Sequence, residues 1–194
     1  EGTPATPGLG ELLVVDVGGA TTDVHSICKG DPSRPEIILH GLPEPFAKRT
    51  VEGDLGMRHN AATIVECAGA DAIAADSGLG GDTVAAILTR VTTDVERVPA
   101  DEAERAFDAA IARAAIRLGV RRHAGTIETV YTALGPATVQ RGKDLTNVAA
   151  VIGTGGPLVH AANPAAILRA ALADPKEPMS LRPTHPRLML DRDY

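Results

Sequence analysis

The sequence predicts an α/β fold, and three observations support this prediction. Residues 12–17 form a β-branched apolar run that only Asp16 interrupts, and residues 148–152 form a second apolar run. Such runs are typical of strands buried on both faces. Residues 101–123 carry apolar side chains at helical spacing, with Asp101 as N-cap and basic residues at the end. The 194 residues suffice for one domain, or for one full lobe of a larger protein.

Composition excludes several classes of function. Aromatic residues make up 2% of the chain and the formal net charge is −6, which disfavours base stacking and phosphate-backbone binding. No apolar run is long enough to span a membrane. Cys28 and Cys67 lack disulfide and metal-ligand spacing, and the six histidines are too scattered for zinc. We therefore expect a cytoplasmic protein with reduced thiols and without nucleic-acid or membrane partners.

The strongest chemical signal follows the first strand, in the sequence DVGGATTD of residues 16–23. A carboxylate at Asp16 suits a hydrated Mg²⁺ beside phosphates, and the two glycines let phosphate oxygens approach backbone N–H groups. The hydroxyls of Thr21 and Thr22 would add hydrogen bonds. A second explanation needs no ligand, because a Gly-Gly pair at positive φ is a common hairpin turn. Spacing alone leaves both explanations open.

The chain after this motif is predicted to begin with strands. Residues 24–27 would pair back on the first strand, and residues 36–40 are a third strand candidate. Residues 48–58 mix cations, carboxylates and glycines without a clear period. This mixture is typical of a functional loop, but from the residues alone we favour a solvated connection with incidental ion pairs.

Helices and further turns follow. Asn60 begins a predicted helix that stops at Gly69, and Asp82 begins another before the long helix. The basic residues 121–123 are explained by the negative end of the long helix rather than by phosphate. Residues 129–132 and 137–140 predict a hairpin around a Gly-Pro turn.

A second glycine motif follows the buried run at 148–152. Gly153, Gly155 and Gly156 precede Pro157, so the loop lies at the predicted N-terminus of a helix reaching residue 162. A helix over 163–173 and a strand over 187–190 complete the prediction. Neither G-x-G-x-x-G at the first βα position nor G-x-x-x-x-G-K-[ST] occurs, which excludes Rossmann and P-loop sites. The first ten residues have linker composition.

Both glycine motifs resemble those of one superfamily. Residues 16–23 resemble the second phosphate-binding motif of the actin, Hsp70 and sugar kinase ATPases, and residues 152–156 resemble the adenosine motif. More narrowly, the chain after residue 10 resembles the MutL (GlmL) family, the accessory protein encoded with coenzyme B12-dependent glutamate mutase and unrelated to mismatch-repair MutL. The segments that carry this resemblance are residues 15–23, 41–58, 140–146, 151–161 and 188–194.

The resemblance implies a ribonuclease H-like, actin/Hsp70-type ATPase lobe over residues 12–194, with a mixed sheet flanked by helices and residues 1–11 as a linker. It implies that this is the C-terminal lobe of a two-lobed protein, whose N-terminal lobe is a missing partner. ATP and Mg²⁺ are the implied cofactors. The implied site places Mg²⁺ at Asp16 and a water-positioning carboxylate at Asp23 or Glu52, with phosphate contacts at Gly18, Gly19, Thr21 and Thr22 and adenosine contacts at Gly153, Gly155 and Gly156.

The implied function is a chaperone-like ATPase in the full-length protein. It would bind a coenzyme B12-dependent mutase that holds damaged cobalamin and drive release of the cofactor. Two alternatives remain open. One is a metabolic enzyme on the same frame, as in hydantoinase and oxoprolinase subunits or sugar kinases. The other is a scaffold that keeps the fold without hydrolysing ATP.

Overall fold

The structure is a computed structural model that describes Thr3 and residues 7–133 and 135–193. In these residues the strands are β1 (Leu12–Val17), β2 (Thr22–Ile27), β3 (Ile38–Leu39), β4 (Ala47–Glu52), β5 (Thr126–Thr132), β6 (Gly135–Arg141), β7 (Ala150–Thr154) and β8 (Arg187–Leu190). The helices are α1 (Ala61–Ala68), α2 (Ala70–Ser77), α3 (Gly81–Thr93), α4 (Glu102–His123), α5 (Gly156–Val159) and α6 (Pro164–Leu168), and a 3₁₀ turn (Arg169–Ala171) follows α6.

A five-stranded mixed sheet forms the centre of the fold. Its strand order is β4-β2-β1-β7-β8. Strand β2 is antiparallel to both of its neighbours, β4 and β1, whereas β7 runs parallel to β1 and β8 runs parallel to β7. The predicted α/β class, with a mixed sheet flanked by helices, is therefore confirmed.

The two faces of this sheet have different surroundings. In β1 the side chains of Leu13, Val15 and Val17 are fully buried, while those of Val14 and Asp16 on the opposite face are only partly buried. Helix α4 packs on the fully buried face, where Gly119 contacts Val24. Apolar side chains at alternate positions thus fix which face of the sheet meets the helices.

Helices α5 and α6 pack on the same face of the sheet. Their side chains Leu158 and Leu168 occupy the space beside Gly153 in β7, where a Cβ atom would lie 2.9 Å from each. Gly153 pairs with Val15, whose side chain also points to this face. The hydrophobic core therefore lies between the sheet and the helices α4, α5 and α6, and it extends to buried side chains of α1, α2 and α3.

Helix α4 begins at an N-terminus that is capped by Asp101. The Asp101 carboxylate accepts a bond from the backbone N–H of Glu104 at 2.8 Å. The Glu104 carboxylate is 3% exposed and accepts bonds from Arg97, from the Ala100 backbone and from Arg90. These donors lower the pKa of Glu104 to about 2. The predicted long helix with Asp101 as its N-cap is confirmed.

A second, three-stranded sheet has the order β3-β6-β5. Strands β5 and β6 form an antiparallel hairpin, and the two residues of β3 run parallel to β6. Gly125, the residue before β5, lies so close to the end of β6 that a Cβ atom on it would lie 2.5 Å from the carbonyl oxygen of Arg141. Ile37 and Val139 are buried at its base, while Tyr131 is 87% exposed.

Several sequence predictions need correction. The prediction of an irregular loop over 48–58 is wrong for residues 48–52. These residues belong to β4, in which exposed and partly buried side chains alternate. The Gly-Pro pair at 135–136 begins β6 instead of forming the turn. Helix α2 was not expected, and the helices expected to reach residues 162 and 173 end at Val159 and Leu168. Strand β8 matches its prediction.

The ends of the chain are only partly described. Of the predicted linker over 1–11, residues 1, 2 and 4–6 lie outside the described residues, as does Tyr194. Residues 7–10 form neither helix nor strand, and the carbonyl of Glu11 accepts a bond from Ala149 at 2.7 Å. Among the described residues, no helix combines the length and apolar character that crossing a membrane requires.

His123 ends α4 and is fully buried beside the sheet. Its ring nitrogens bond the hydroxyls of Thr50 in β4 and Ser26 in β2, at 2.9 and 2.8 Å. Burial, with the nearby charges of Lys48 and Lys143, lowers the pKa of His123 to about 3. The ring therefore stays neutral in the folded protein at pH values where an unfolded histidine becomes charged.

This burial predicts loss of stability under mildly acidic conditions. The stabilisation is complete above the ordinary histidine pKa of about 6.5 and declines as the pH falls towards 3, because protons bind the unfolded chain more tightly. We expect the free energy of unfolding to fall by about 1.4 kcal/mol per pH unit between pH 6 and 4.5. Urea unfolding across this range measures it. The slope should flatten in His123→Gln and not in His185→Gln, whose ring is exposed; equal slopes would contradict the assignment.

Candidate functional site

The first glycine motif is the turn of the β1–β2 hairpin. Asp16 pairs with Asp23 and Val17 pairs with Thr22, and the N–H of Gly18 donates to the carbonyl of Thr21 at 2.9 Å. The hairpin predicted from the sequence is confirmed. Gly18 and Gly19 do not adopt positive φ, so other residues could adopt the same backbone conformation in this turn. Gly19 and Ala20 are exposed at the tip, which leaves the backbone of the turn open to a ligand.

The second glycine motif meets the first at the same end of the sheet. Strands β1 and β7 are parallel neighbours, with Asp16 opposite Thr154, so their C-terminal ends lie side by side. Gly155 has φ +94°, and a Cβ atom there would lie 2.2 Å from the Val17 carbonyl oxygen and 2.7 Å from Asp16 Oδ1. The structure thus brings the two motifs into direct contact through glycine and the Asp16 carboxylate.

Two carboxylates lie beside this contact on the face of the sheet opposite the core. Asp16 and Asp23 are cross-strand neighbours, and side chains so paired share one face. Arg49 Nη2 lies 3.2 Å from Asp23 Oδ2, while the other oxygen, Oδ1, is buried without a hydrogen-bond partner among the described residues. A buried acceptor without a donor is costly, and a cation or a bound water would satisfy it.

The two carboxylates of Asp16 and Asp23 match the number of protein ligands that Mg²⁺ commonly has. No group of three or more His, Cys, Asp or Glu side chains in the described part of the chain could enclose a metal ion. Mg²⁺ does not need such a cage, because it keeps several waters and binds one or two carboxylates together with phosphate oxygens. Asp16 and Asp23 therefore fit a hydrated Mg²⁺ bound with a nucleotide, and not a permanently enclosed metal.

Glu52 does not join these carboxylates. It pairs with Thr22 across the β2–β4 ladder, and its side chain lies on the helix side of the sheet near Gly119. Arg122 Nη1 lies 2.7 Å from the Glu52 carboxylate and also binds Asp54, whose pKa it lowers. Of the two catalytic candidates from the sequence, Glu52 is thus ion-paired on the helix face, whereas Asp23 lies beside Asp16 on the opposite face.

The threonines and glycines of the motifs differ in accessibility. Thr22 is fully buried, and its hydroxyl donates to the carbonyl of Leu55 at 2.8 Å, so the expected phosphate contact is not open to this hydroxyl. Thr21 is half-buried in the turn. Gly153 faces the core beside Leu158 and Leu168, which gives it a packing role. Gly156 is exposed, with open space around its Cβ position.

A loop that sequence reasoning did not connect with the motif holds the hairpin turn. Backbone N–H groups of Met57, Arg58 and His59 donate to the carbonyls of the two glycines at 3.0, 2.9 and 3.0 Å. The Asn60 amide donates to Ala20 and Gly53. A Cβ atom on Gly56 would lie 2.2 Å from the Ala20 carbonyl. We call residues 53–60 the clasp; its sequence signals were the mixture of charges and glycines over 48–58 and the family resemblance over 41–58.

Ion pairs join the clasp to helix α4. Arg58 binds both carboxylate oxygens of Asp108 at 3.1 and 2.5 Å, and its Nε donates to the carbonyl of Arg97. Burial raises the pKa of Asp108 even though the Arg58 guanidinium opposes the shift. Together with the bonds from Arg122 to Asp54, these pairs fix the position of the clasp relative to α4.

A surface cavity of about 450 Å³ lies elsewhere, between α6 and the chain that enters β8. Thr184, His185 and Pro186 line it before the start of β8, which is the end of the sheet opposite the glycine turns. The site at the glycine turns is instead an open surface formed by exposed backbone at Gly19, Ala20 and Gly156.

Comparison with known proteins identifies the family. A family model described as "MutL protein" matches residues 3–194. A curated relative, "Protein MutL" of Clostridium tetanomorphum, is 46% identical over 194 residues, which is 100% of this chain and 42% of that protein. The chain belongs to the MutL protein family and spans less than half the length of this relative. No solved structure matches it.

The contact between the two glycine motifs predicts a sharp difference between neighbouring glycines. Gly155→Ala should lower the free energy of unfolding by about 2–4 kcal/mol, because a Cβ atom at positive φ would collide with the Val17 carbonyl. Gly156→Ala, with open space at its Cβ position, should change it by less than about 1 kcal/mol. Urea unfolding of both variants measures the difference, and similar losses would show that the two turns do not touch as described.

Proposed function

We propose that this chain is one lobe of an actin/Hsp70-type ATPase with a ribonuclease H-like fold, and that it binds Mg-ATP at the two glycine turns. The observation that carries the proposal is the contact of Gly155 with Val17 and the Asp16 carboxylate at one end of the parallel pair β1 and β7. Two glycine turns on unrelated surfaces would not form one nucleotide site. Their adjacency supports the roles that the resemblance implies.

Each group at the site receives a chemical role in this proposal. Asp16 holds a hydrated Mg²⁺, which neutralises phosphate charge in phosphoryl transfer. The backbones of Gly18 and Gly19, with Thr21, contact the β- and γ-phosphates, and that of the exposed Gly156 contacts adenosine. The buried Gly155, for which the resemblance also implies an adenosine contact, holds the two turns together. Asp23, the cross-strand neighbour of Asp16, would position the attacking water. Thr22 and Gly153 position these groups from the core instead of touching the nucleotide.

The proposed site is one wall of a cleft between two lobes. The chain covers 42% of its curated relative, which leaves residues enough in such a protein for a second lobe carrying the first phosphate loop. ATP hydrolysis between two lobes changes their separation, so the output is a movement instead of a product molecule. The exposed backbone at the tip of the hairpin turn suits contact with a ligand that a second lobe covers.

The biological role that we propose is reactivation of a coenzyme B12-dependent mutase in the cytoplasm. The protein would bind mutase subunits that hold damaged cobalamin and use ATP-driven movement to release the cofactor. Membership of the MutL family supports this role through its implied association with glutamate mutase. A co-purification of the intact protein with a mutase, compared with and without ATP, tests the partner directly.

Nucleotide binding is tested first by substitution at Asp16. In the intact protein, Asp16→Asn should weaken Mg-ATP binding at least about tenfold in calorimetric titration and stop ATP hydrolysis, because the ligand of Mg²⁺ is lost. Glu52→Gln is the matched control, since this carboxylate lies on the other face of the sheet, paired with Arg122. Undiminished hydrolysis by Asp16→Asn would refute the assignment of Asp16.

The same titration separates the alternative functions. No heat from Mg-ATP or Mg-ADP with the wild-type intact protein would favour the non-hydrolysing scaffold. ATP consumption that depends on a hydantoin, 5-oxoproline or a sugar would favour the metabolic enzyme. ATP consumption that responds to a B12-dependent mutase instead would support the chaperone.

A further inference from the structure

Arg49 in β4 lies beside the two carboxylates of the proposed site. Side chains alternate between the faces of a strand. The hydroxyl of the next residue, Thr50, bonds His123 on the helix side of the sheet, so Arg49 points to the opposite side. Arg49 Nη2 lies 3.2 Å from Asp23 Oδ2, which places the guanidinium on the face that carries Asp16 and Asp23. An arginine of the edge strand thus belongs to the surroundings of this site.

The bond from Arg49 to Asp23 can be exchanged at little cost. The Arg49 side chain is 58% exposed, and within residues 7–133 and 135–193 it bonds no group other than Asp23. Ion pairs of such exposed side chains contribute little to stability. A guanidinium also has more N–H donors than this one bond uses. Arg49 can therefore bind a second acceptor, or leave Asp23 for a stronger one.

The same bond occupies the oxygen that Asp23 needs for its proposed role. The Asp23 side chain is 16% exposed, although its Oδ1 atom is buried. Oδ2 is thus the oxygen that a water arriving from solvent reaches first, and Arg49 already binds it. Asp23 is therefore ready to position the attacking water only after Arg49 has moved.

The charges at the site favour this movement when a nucleotide binds. Asp16 and Asp23 are like charges at paired positions of neighbouring strands, and they repel each other. Arg49 offsets part of this repulsion while the carboxylates are its only nearby anions. A hydrated Mg²⁺ would take over that role and bring the negative charge of the phosphates with it. Phosphate oxygens bind a guanidinium through paired N–H groups, so the phosphate competes well for Arg49.

We propose that Arg49 is a catalytic residue that exchanges its bond to Asp23 for oxygens of the terminal phosphate when Mg-ATP binds. This inference rests on the proposed ATPase function. The approach of the terminal phosphate is then the event that frees Asp23. ADP lacks this phosphate, so its binding leaves the pair of Arg49 and Asp23 intact.

The exchange assigns a role to each group in hydrolysis. The water oxygen forms a bond to the γ-phosphorus, and the bond from this phosphorus to the β–γ bridging oxygen breaks, with its electron pair remaining on ADP. One proton of the water stays on the inorganic phosphate, and the other passes to Asp23. The Arg49 guanidinium stabilises the charge on the oxygens of the transferred group, as an arginine does in other enzymes of phosphoryl transfer.

Calorimetric titration of the intact protein tests the phosphate contact. For Arg49→Ala, the Mg²⁺ complex of an ATP analogue with a non-hydrolysable β–γ bond should bind at least about tenfold more weakly, while Mg-ADP should stay within about twofold of wild type. This difference should persist in an Asp23→Asn background, because the contact is to phosphate. Arg187→Ala, at an exposed arginine of the opposite edge strand, is the matched control and should change neither affinity. Equal losses for both nucleotides would overturn the proposal.

Rates of ATP hydrolysis test the catalytic role separately. Arg49→Ala should lower kcat at least about a hundredfold. Free guanidinium, at concentrations that leave Mg-ADP binding unchanged, should restore part of this activity and should restore none to Asp23→Asn. Faster hydrolysis by Arg49→Ala would show that Arg49 only blocks Asp23, and undiminished hydrolysis would show that it has no role; either result overturns this inference and leaves the proposed ATPase standing. A wild-type intact protein that binds no Mg-ATP would refute both.

Discussion

Close contact between backbones at the end of β1 is the constraint on which the rest of the site depends. Gly155 approaches the Val17 carbonyl and Gly56 approaches the Ala20 carbonyl, each so closely that a Cβ atom would lie 2.2 Å away. No residue other than glycine fits either position without displacing a neighbouring backbone. The two turns and the clasp are therefore spaced by backbone contact, and a side-chain movement alone cannot change that spacing.

Helix α4 supports this arrangement from the other side of the sheet. Arg122 holds the start of the clasp through Asp54, while Asp108 holds its centre through Arg58. The side chains of Arg58 and Asp108 are only 16% and 18% exposed, so each would leave a poorly solvated charge if its partner were removed. Arg122, one of the basic residues at the end of α4, is thus ion-paired with carboxylates of β4 and the clasp, while the helix-end explanation of these residues stays a prediction.

The sequence predicted the parts whose signal is local. Strand β1, helix α4 and the hairpin turn follow from apolar runs, helical spacing and a glycine pair, which depend on neighbours a few residues apart. Strand β4 was missed because its exposed edge position mixes Lys48, Arg49 and Glu52 with apolar residues. The burial of Thr22 and the separation of Glu52 from Asp23 depend on which face each strand presents to α4. Tertiary packing determines that choice, and the spacing of residues along the strand does not show it.

The division of the sheet into two faces limits how the proposed site can act on the rest of the chain. Asp16 and Asp23 lie on the face away from α4, so a ligand bound to these two carboxylates would not touch Arg122, which binds Glu52 on the other face. Its effect would pass from the hairpin turn to the clasp, both through backbone hydrogen bonds and through the Arg58 side chain, which lies 3.8 Å from the Cβ position of Gly19. The clasp in turn leads into α1, which begins directly after Asn60. Because Gly56 leaves no space beside Ala20, any displacement of the turn would displace the clasp as well. Under the proposed function, the clasp is therefore where a change of nucleotide would first reach the helices, because it leads into α1 and is ion-paired with α4.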